Sequence, residues 1–394
     1  MPDLIFISME DWDDVWRRNQ FVCAELARRH PEMKILFIGV PRNVWRYAAQ
    51  LDFKTLFNSS PMTVPGFPNI TFSRPLRVGL ERFRWGVLLN QAIARRHVRR
   101  LAAALNIRRP VLWLNPHWAV DMVGHLHESA VVYDITDDWI SRDQPQWLAE
   151  QTRRQDRELC RRADAVIVCS QRLEEIKQPL AAGKLHLIPN GVDADHYACV
   201  LQQSGPMPPD AAAWPRPVFG YTGTIHTDRL DIDLVESVAR RLTAGSLVFI
   251  GPNHLSEAIR QRLTATGKVI FRDAAPYQDV PQYMRAFDVS IVPHRVSEFV
   301  QSLQPIKLWE YLAAGKPIVA TEVSGFKDYP ELVRLASGPE DFCRQLGQAL
   351  SEDRSLAAKR QAVARANSWQ ARVDSIEGVL NSLEANVASA AACH

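Results

Sequence analysis

"SLQPIKLWEYLAAGKPIVAT", Ser302 to Thr321, strings together a prolyl turn, a short periodic segment, a glycine and an apolar run. Pro305 suits the first helical position, because its φ is already helical and its missing N–H would have had no partner there. Gly315 follows the last periodic residue, where a left-handed C-cap costs least for a residue without Cβ. The spacing therefore predicts a helix from about Pro305 to Ala314. Ile318, Val319 and Ala320 then read as a strand buried on both faces of a parallel sheet. The helix N-terminus offers free N–H groups and a partial positive charge, which suits a phosphate. Lys307 adds a full charge there, and Glu310 can accept from sugar hydroxyls. Read without that function, the two residues form an ordinary i, i+3 surface ion pair.

Outward from this stretch, apolar runs alternate with amphipathic segments, the pattern of an α/β fold with parallel sheets. In the first half the strands read as "LIFIS", "KILFIG", "VLWL", "VVYDI" and "AVIVCS", with helices over Val15 to Arg29 and Gly86 to Leu105. A second series reads "PVFGYTG", "LVFIG", "KVIF", "DVSIVP" and "PIVAT". Between them lies "QQSGPMPPDAAAWPRP", Gln202 to Pro217, whose proline and small residues mark a linker. The expected organisation is an N-terminal domain over 1–201, a linker over 202–217 and a C-terminal domain over 218–352. Helices over 353–385 would return toward the first domain, with a frayed tail over 386–394. Each domain would be a doubly wound, Rossmann-like sheet, with ligands at the strand C-termini and the two domains facing across a cleft.

Composition narrows the function. The chain of 394 residues is 46% hydrophobic, enough to fill two cores, and its formal net charge of +3 makes no case for a nucleic-acid partner. Cysteines at 23, 160, 169, 199, 343 and 393 have no metal-binding spacing and read as reduced core thiols of a cytosolic protein. No run approaches a membrane span and no signal-peptide pattern opens the chain, so a cytoplasmic location is expected. From Arg82 to Arg109, Arg82, Arg84, Arg95, Arg96, Arg99, Arg100, Arg108 and Arg109 stand opposite no acid but Glu81 just before them. Beside Val87, Leu88, Leu89 and Ile93 they read either as a solvated helix or as a face for peripheral membrane contact at the inner leaflet.

Four segments carry a resemblance: "IPNGVDADHY" (Ile188 to Tyr197), "GYTGTI" (Gly220 to Ile225), "DVSIVPHR" (Asp288 to Arg295) and "PIKLWEYLAAGKPIVAT" (Pro305 to Thr321). In this order they resemble nucleotide-sugar-dependent glycosyltransferases of the GT-B fold, family 4 type. "DWDDVWRRNQ" and "VVYDITDDW" are similar to the subgroup that builds cell-surface polysaccharides, teichuronic-acid-type transferases among them. The resemblance implies that the C-terminal domain binds the nucleotide sugar and the N-terminal domain the glycan or lipid-linked acceptor. It puts Glu310 on the ribose and the Gly223 loop on the diphosphate. The chain departs from the pattern twice. Ser302 stands where the family has an earlier glutamate, with Glu298 beside it, and Thr224 stands where an arginine follows the loop glycine. Lys307 and Arg229 are then the nearest cations for the diphosphate. The "P-x-K-L-x-E-Y" form reads as a variant of the site.

Departure of a nucleoside diphosphate builds negative charge that cations and amide N–H groups stabilise, which is the role Lys307 would take. His117 follows "VLWLN", and Asp137 and Asp138 follow "VVYDIT", so all three are expected at strand C-termini. A carboxylate there could orient the acceptor hydroxyl or take its proton. It could equally cap the next segment, and His117 could simply be packed. Arg18 could reach into the same mouth or be an exposed helix charge, and Trp12, Trp16, Trp118 and Trp139 flank it. No metal and no cofactor are expected, the nucleotide sugar being a substrate. The family resemblance implies retention at the anomeric carbon. A nucleotide-sugar epimerase of the same fold, or a non-catalytic donor-binding subunit, is the alternative. A dinucleotide oxidoreductase is disfavoured, since no G-x-G-x-x-G follows the opening strand.

Overall fold

The computed structural model describes residues 1–13, 16–50, 60–80, 82–140, 144–202, 207–302 and 304–392. The chain divides into two compact units, one of Met1–Pro189 with the chain from Arg372 onward, the other of Asn190–Ala371.

The first unit is built on seven parallel strands. Their spatial order is Leu185–Leu187, Ala165–Val168, Ala130–Ile135, Val111–Leu114, Leu4–Ile7, Ile35–Ile38 and Phe67–Ser73, with Met62–Val64 antiparallel at the edge. Counted along the chain, the parallel strands read 7-6-5-4-1-2-3. Every residue of Leu4–Ile7, Ile35–Ile38 and Val111–Leu114 is buried, because helices cover both faces, and uninterrupted apolar runs result. Phe6 stacks between Phe37 and Trp113 at 5.4 and 5.6 Å across neighbouring strands.

The second unit has six strands, all parallel, in the order Val269–Arg272, Ser246–Ile250, Val218–Thr222, Val289–Val292, Ile318–Thr321 and Arg334–Ala336, or 3-2-1-4-5-6. Both sheets are thus wound outward from a central pair, as in Rossmann-like domains. Helices form where caps and periodicity agree. In Ile232–Arg241, for example, the Asp231 carboxylate accepts from Leu234 N at 2.9 Å, and Leu234, Val235 and Val238 turn inward.

Each of the ten strands expected from the sequence forms. Phe67–Ser73 carries Pro68 and Asn69, and Leu185–Leu187 and Arg334–Ala336 are short and half-buried, so their patterns were too weak to read. The first helix begins at Arg18, with Val15 outside the described residues, and the arginine-rich helix spans Arg84–Ala104.

The division at Pro189 falls ahead of the stretch expected to be a linker. The cause is the helix Ala194–Gln202, which buries Tyr197 and Val200 in the second core beside Leu308 and Tyr311. Within the expected linker, Pro209–Ala212 is a helical turn and Ala211 and Trp214 are buried, while residues 203–206 lie outside the described residues. Residues 353–371 also stay with the second unit: the buried Arg360 bonds Glu352 at 2.6 Å and donates to the Leu332 carbonyl at 2.8 Å. From Arg372 on, the helix Trp369–Ala392 belongs to the first unit, where Arg29 pairs with Asp374 and Glu377 at 2.6 and 3.0 Å. The tail expected from 386 is helical to Ala392, as its run of alanines favours, and residues 393 and 394 lie outside the described residues.

Candidate functional site

In a doubly wound sheet the winding reverses between the central pair of strands, and their C-terminal ends leave a crevice for ligands. In the second unit that pair is Val218–Thr222 and Val289–Val292, which lead directly into Gly223–Thr224 and Pro293–His294. The Tyr221 hydroxyl spans the two ends. Its one proton goes to the Thr224 carbonyl at 3.2 Å, so His294 Nε2–H donates to the phenol oxygen across 3.3 Å. Burial, reinforced by the Arg229 charge, pushes His294 down to about 3 and keeps it neutral.

The stretch Ser302 to Thr321 sits at this crevice as its sequence dictates. Its helix spans Ile306–Ala314 with Pro305 at the N-cap, no side chain among the described residues caps it, and Gly315 ends it at φ 71°. Tyr311 ties the helix to the central strand by accepting from Thr222 N at 2.8 Å. The Asn190 amide donates to the Gln304 carbonyl at 2.5 Å, and Asn190 N to Gln304 Oε1 at 3.0 Å, joining "IPN" to "SLQP".

These anchors bring Gly223, Lys307 and Glu310 together. Gly223 has φ +143°, and a Cβ built there would lie 3.1 Å from the Tyr221 hydroxyl and 3.2 Å from Lys307 Cε. The bare glycine lets Lys307 lie against the loop backbone. Lys307 Nζ is 2.6 Å from Glu310 Oε2, and the pair is asymmetric: the lysine side chain is 28% exposed and the glutamate 5%. The fully buried Tyr197 lies near enough to Glu310 to feel its charge. Burial first, and the carboxylate second, push its phenol well above the usual range. Glu310 is therefore a buried carboxylate paired with Lys307, and Lys307 is the member able to move.

Two other residues expected at the donor are placed differently. The Ser302 hydroxyl is buried and donates to the Phe299 carbonyl at 2.7 Å, a bond within its own helical turn. Arg229 is half-buried; its backbone accepts from Arg295 N at 2.7 Å and its charge acts on His294 and Tyr221. Next to this loop, a cavity of about 310 Å³ is lined by His294, Thr321, Ser337 and Gly338 together with Asp231, Asp233 and Glu322. Three carboxylates suit a diphosphate poorly, and the Gly223, Lys307 and Glu310 cluster is the better candidate.

In the first unit the winding reverses between Leu4–Ile7 and Val111–Leu114, which end on Ser8 and Asn115. Asn19 Nδ2 donates to Ser8 Oγ at 2.9 Å and Asn115 Oδ1 at 3.0 Å, and Asn115 Nδ2 donates to the Asp134 carbonyl at 3.0 Å. Arg18 corrects its expected place in an open mouth. It is 3% exposed, pairs with the fully buried Asp134 at 3.1 Å and donates to the Pro189 carbonyl at 3.2 Å.

Asp138 is buried and accepts from Ile140 N at 3.2 Å, while Asp137 accepts from the Thr136 hydroxyl at 3.2 Å. Asp138 therefore helps fix the backbone of the turn that follows the strand, while Asp137 bonds a side chain of the residue before it. His117 opens a short 3-10 turn with Nε2 3.4 Å from Thr152 Oγ1. Burial holds it below its usual range, opposed by Asp156 and reinforced by Lys177. Lys177 and Asp156 form a buried pair at 2.7 Å that also holds the Tyr133 hydroxyl at 3.0 Å. Trp12 and Trp16 pack edge to face at 6.0 Å, with Trp12 on Phe37 and Trp16 on Phe21. Among the described residues no three His, Cys, Asp or Glu side chains form a metal-binding group, and no helix is long and apolar enough to cross a membrane.

Sequence reasoning singled out none of Tyr197, Tyr221, His294, Asn19, Asn115 or Asp134. All but Asn115 lie within the six segments quoted for the resemblance; Tyr221, His294, Asn115 and Asp134 are in or just after core strands, whereas Tyr197 and Asn19 are on helices.

Comparison with known proteins agrees with this architecture. Residues 216–352 match the model described as "Glycosyl transferases group 1", and residues 62–196 match "Glycosyltransferase Family 4". The chain belongs to the GT-B glycosyltransferases of the family 4 type. Among relatives it is 28% identical over 258 residues to the putative teichuronic acid biosynthesis glycosyltransferase TuaH of Bacillus subtilis (strain 168), a match covering 61% of this chain and 64% of that protein. The chain thus spans less than two thirds of the length of that relative. Among solved structures it shares its fold with sucrose-phosphate synthase of Thermosynechococcus elongatus (TM-score 0.73, 15% identity, 98% of this chain and 100% of that one). It also shares it with Anabaena HepE in complex with UDP-glucose (TM-score 0.67, 17% identity, 96% and 99%).

Proposed function

We propose that the protein transfers a sugar from a nucleoside-diphosphate donor to a glycan or lipid-linked acceptor, with retention at the anomeric carbon, in building a cell-surface polysaccharide. The observation that carries this reading is the meeting of Gly223, Lys307 and Glu310 where the second sheet reverses its winding. In this reading the diphosphate lies on the loop amides and the first turn of Ile306–Ala314. Lys307 turns from Glu310 to the phosphates, and the freed carboxylate oxygen accepts from the ribose hydroxyls. Lys307 and the amides then stabilise the charge gathering on the leaving diphosphate. Glu310 is the one carboxylate in this cluster and is already engaged with Lys307, so a double displacement through a second carboxylate has little support. Front-face attack, with the departing phosphate taking the acceptor proton, fits the residues better. On the acceptor side this reading assigns Asp137, Asp138 and His117 of the first unit. The names of the relatives, transferases and synthases, support transfer over epimerisation, and the HepE complex makes UDP-glucose the first donor to try.

The test is binding of UDP, GDP, ADP and TDP and their sugars to wild type, Lys307→Ala and Glu310→Ala, followed by NMR of the product. Lys307→Ala should weaken diphosphate more than nucleoside. Glu310→Ala should weaken both by about tenfold or more, the loss of a charged hydrogen bond of about 1.5–3 kcal/mol. Unchanged affinities in both variants overturn the donor site. An inverted product overturns retention alone, and isomerised donor without acceptor makes the protein an epimerase.

A further inference from the structure

The first unit carries an apolar surface that the transferase reading does not use. Of the large hydrophobic side chains left exposed among the described residues, Trp45, Leu80, Phe83, Trp85, Leu88 and Leu89 fall on two adjoining segments, with Trp45 at 57%, Trp85 at 58% and Leu88 at 60%. The surface is built rather than frayed. Asn90 Oδ1 accepts from Val78 N at 3.0 Å and Gly79 N at 2.7 Å, and Asn90 Nδ2 donates back to the Gly79 carbonyl at 3.0 Å. Gly79 and Gly86 permit this closeness, since a Cβ on Gly86 would lie 2.2 Å from the Leu80 carbonyl oxygen. The Trp45 indole donates to the Val78 carbonyl at 2.8 Å, which brings the helix Val44–Ala49 alongside. Phe83 and Trp85 stack at 5.8 Å, and the Arg82 guanidinium lies over Phe83 at 4.7 Å.

Apart from Glu81, the charge along these two segments is of one sign. Arg46, Arg82, Arg84, Arg96, Arg99 and Arg100 are exposed, and no acid occurs in the sequence from Arg82 to Arg109. An acidic protein groove would meet the arginines and leave the aromatic and leucine tips in water. A second copy of this face would bring arginine against arginine. An anionic leaflet satisfies both features, because headgroups pair with guanidinium groups while tryptophan and leucine enter the acyl boundary.

We propose that this face, formed by Trp45, Leu80, Phe83, Trp85, Leu88 and Leu89 with the exposed arginines of the same segments, docks the protein on an anionic lipid surface. The inference rests on this surface alone and stands or falls separately from the donor site.

The experiment is co-sedimentation of the full chain with phosphatidylglycerol-containing and with pure phosphatidylcholine vesicles at 50 and 300 mM salt (about these values, to straddle the Debye screening range). Wild type is compared with Leu88→Glu/Leu89→Glu and with Arg96→Glu/Arg99→Glu. All four positions are exposed or nearly so, and thermal unfolding checks that the variants fold. Wild type should bind anionic vesicles at least tenfold better than neutral ones and lose most of that at high salt. Arg96→Glu/Arg99→Glu should weaken binding by roughly twentyfold or more, each basic group contributing about a fivefold factor. Leu88→Glu/Leu89→Glu should also weaken it, and should abolish quenching of tryptophan fluorescence by brominated lipid. Equal binding to both vesicles, no binding at low salt, or indifference to either pair of substitutions overturns the proposal. So does a concentration-dependent dimer in sedimentation velocity that Leu88→Glu/Leu89→Glu removes.

Discussion

The two sheets reverse their winding in the same way, yet the two reversal points are furnished in opposite fashion. In the second unit the strand ends meet a bare glycine and a half-exposed lysine whose partner is only one turn away on the same helix. In the first they meet buried amides and a buried ion pair, Arg18 with Asp134, tied to strands and loop by fixed bonds. One set of polar groups can exchange partners when a ligand arrives, and the other is locked by burial. The difference shows that a common topology places two crevices, while solvent access decides which of them can respond to a charged ligand.

Removing the locked pair is the harshest way to break this comparison. Arg18→Ala leaves the Asp134 carboxylate buried without its counter-charge, a loss of about 3–5 kcal/mol. Urea unfolding should show that loss in the first unit, while the affinity of the remaining folded protein for a nucleoside diphosphate stays as in wild type. A loss under about 1 kcal/mol, within the range of exposed pairs, would mean that the two crevices do not differ as described.

Gly223→Ala addresses the adaptable side. An L residue at φ +143° is strained wherever it stands, and its Cβ would press on the Tyr221 hydroxyl and Lys307 Cε. The expected cost is about 1–3 kcal/mol, with donor binding weakened because Lys307 can no longer lie along the loop. Retained stability together with retained affinity would show that the close approach is incidental.

How much of this was legible before the fold was known differs by unit for a physical reason. Pro305 and Gly315 announce a helix by local geometry, and Lys307 and Glu310 lie one turn apart within it, so that part of the donor cluster could be read from twenty consecutive residues, while Gly223 entered only through the resemblance. Arg18 and Asp134 are 116 positions apart, and nothing local tells a buried arginine from an exposed one in "VWRRNQ". Ser302 shows the opposite case, a local bond that the sequence pattern did not announce. Its position in the pattern is right, but a hydroxyl one turn after Phe299 is drawn to that carbonyl. The domain boundary slipped because a proline-rich stretch reads as a linker, whereas Trp214 within it is buried.

Exchanging the hydroxyl of Tyr197 for hydrogen gives a smaller effect. Tyr197→Phe removes a buried hydroxyl beside Glu310, and should lower stability by about 1 kcal/mol while sparing diphosphate affinity more than Lys307→Ala does. Parallel losses in both variants would place the two residues in one role.

The smallest effect near neutral pH comes from His294, and its sign sharpens the comparison of the two units. In the folded chain its pKa is down at about 3, while the unfolded value is about 6.5. Above the unfolded value both states hold a neutral ring, so the group contributes no pH dependence. As pH falls from there toward the folded value, the unfolded chain binds a proton that the folded chain refuses. Stability therefore declines by about 1.4 kcal/mol per pH unit from this residue and levels off below the folded pKa. His294→Gln should remove one proton from the acid slope of stability between about pH 6 and pH 4, measured by urea midpoints at several pH values. His117→Gln in the first unit should act in the same direction over a narrower window, since its ring is only half-buried and Asp156 partly offsets the burial. An unchanged slope in His294→Gln would mean that the ring takes up its proton in the folded state, and that the bridge from Tyr221 across the two strand ends survives a charged imidazole beside Arg229.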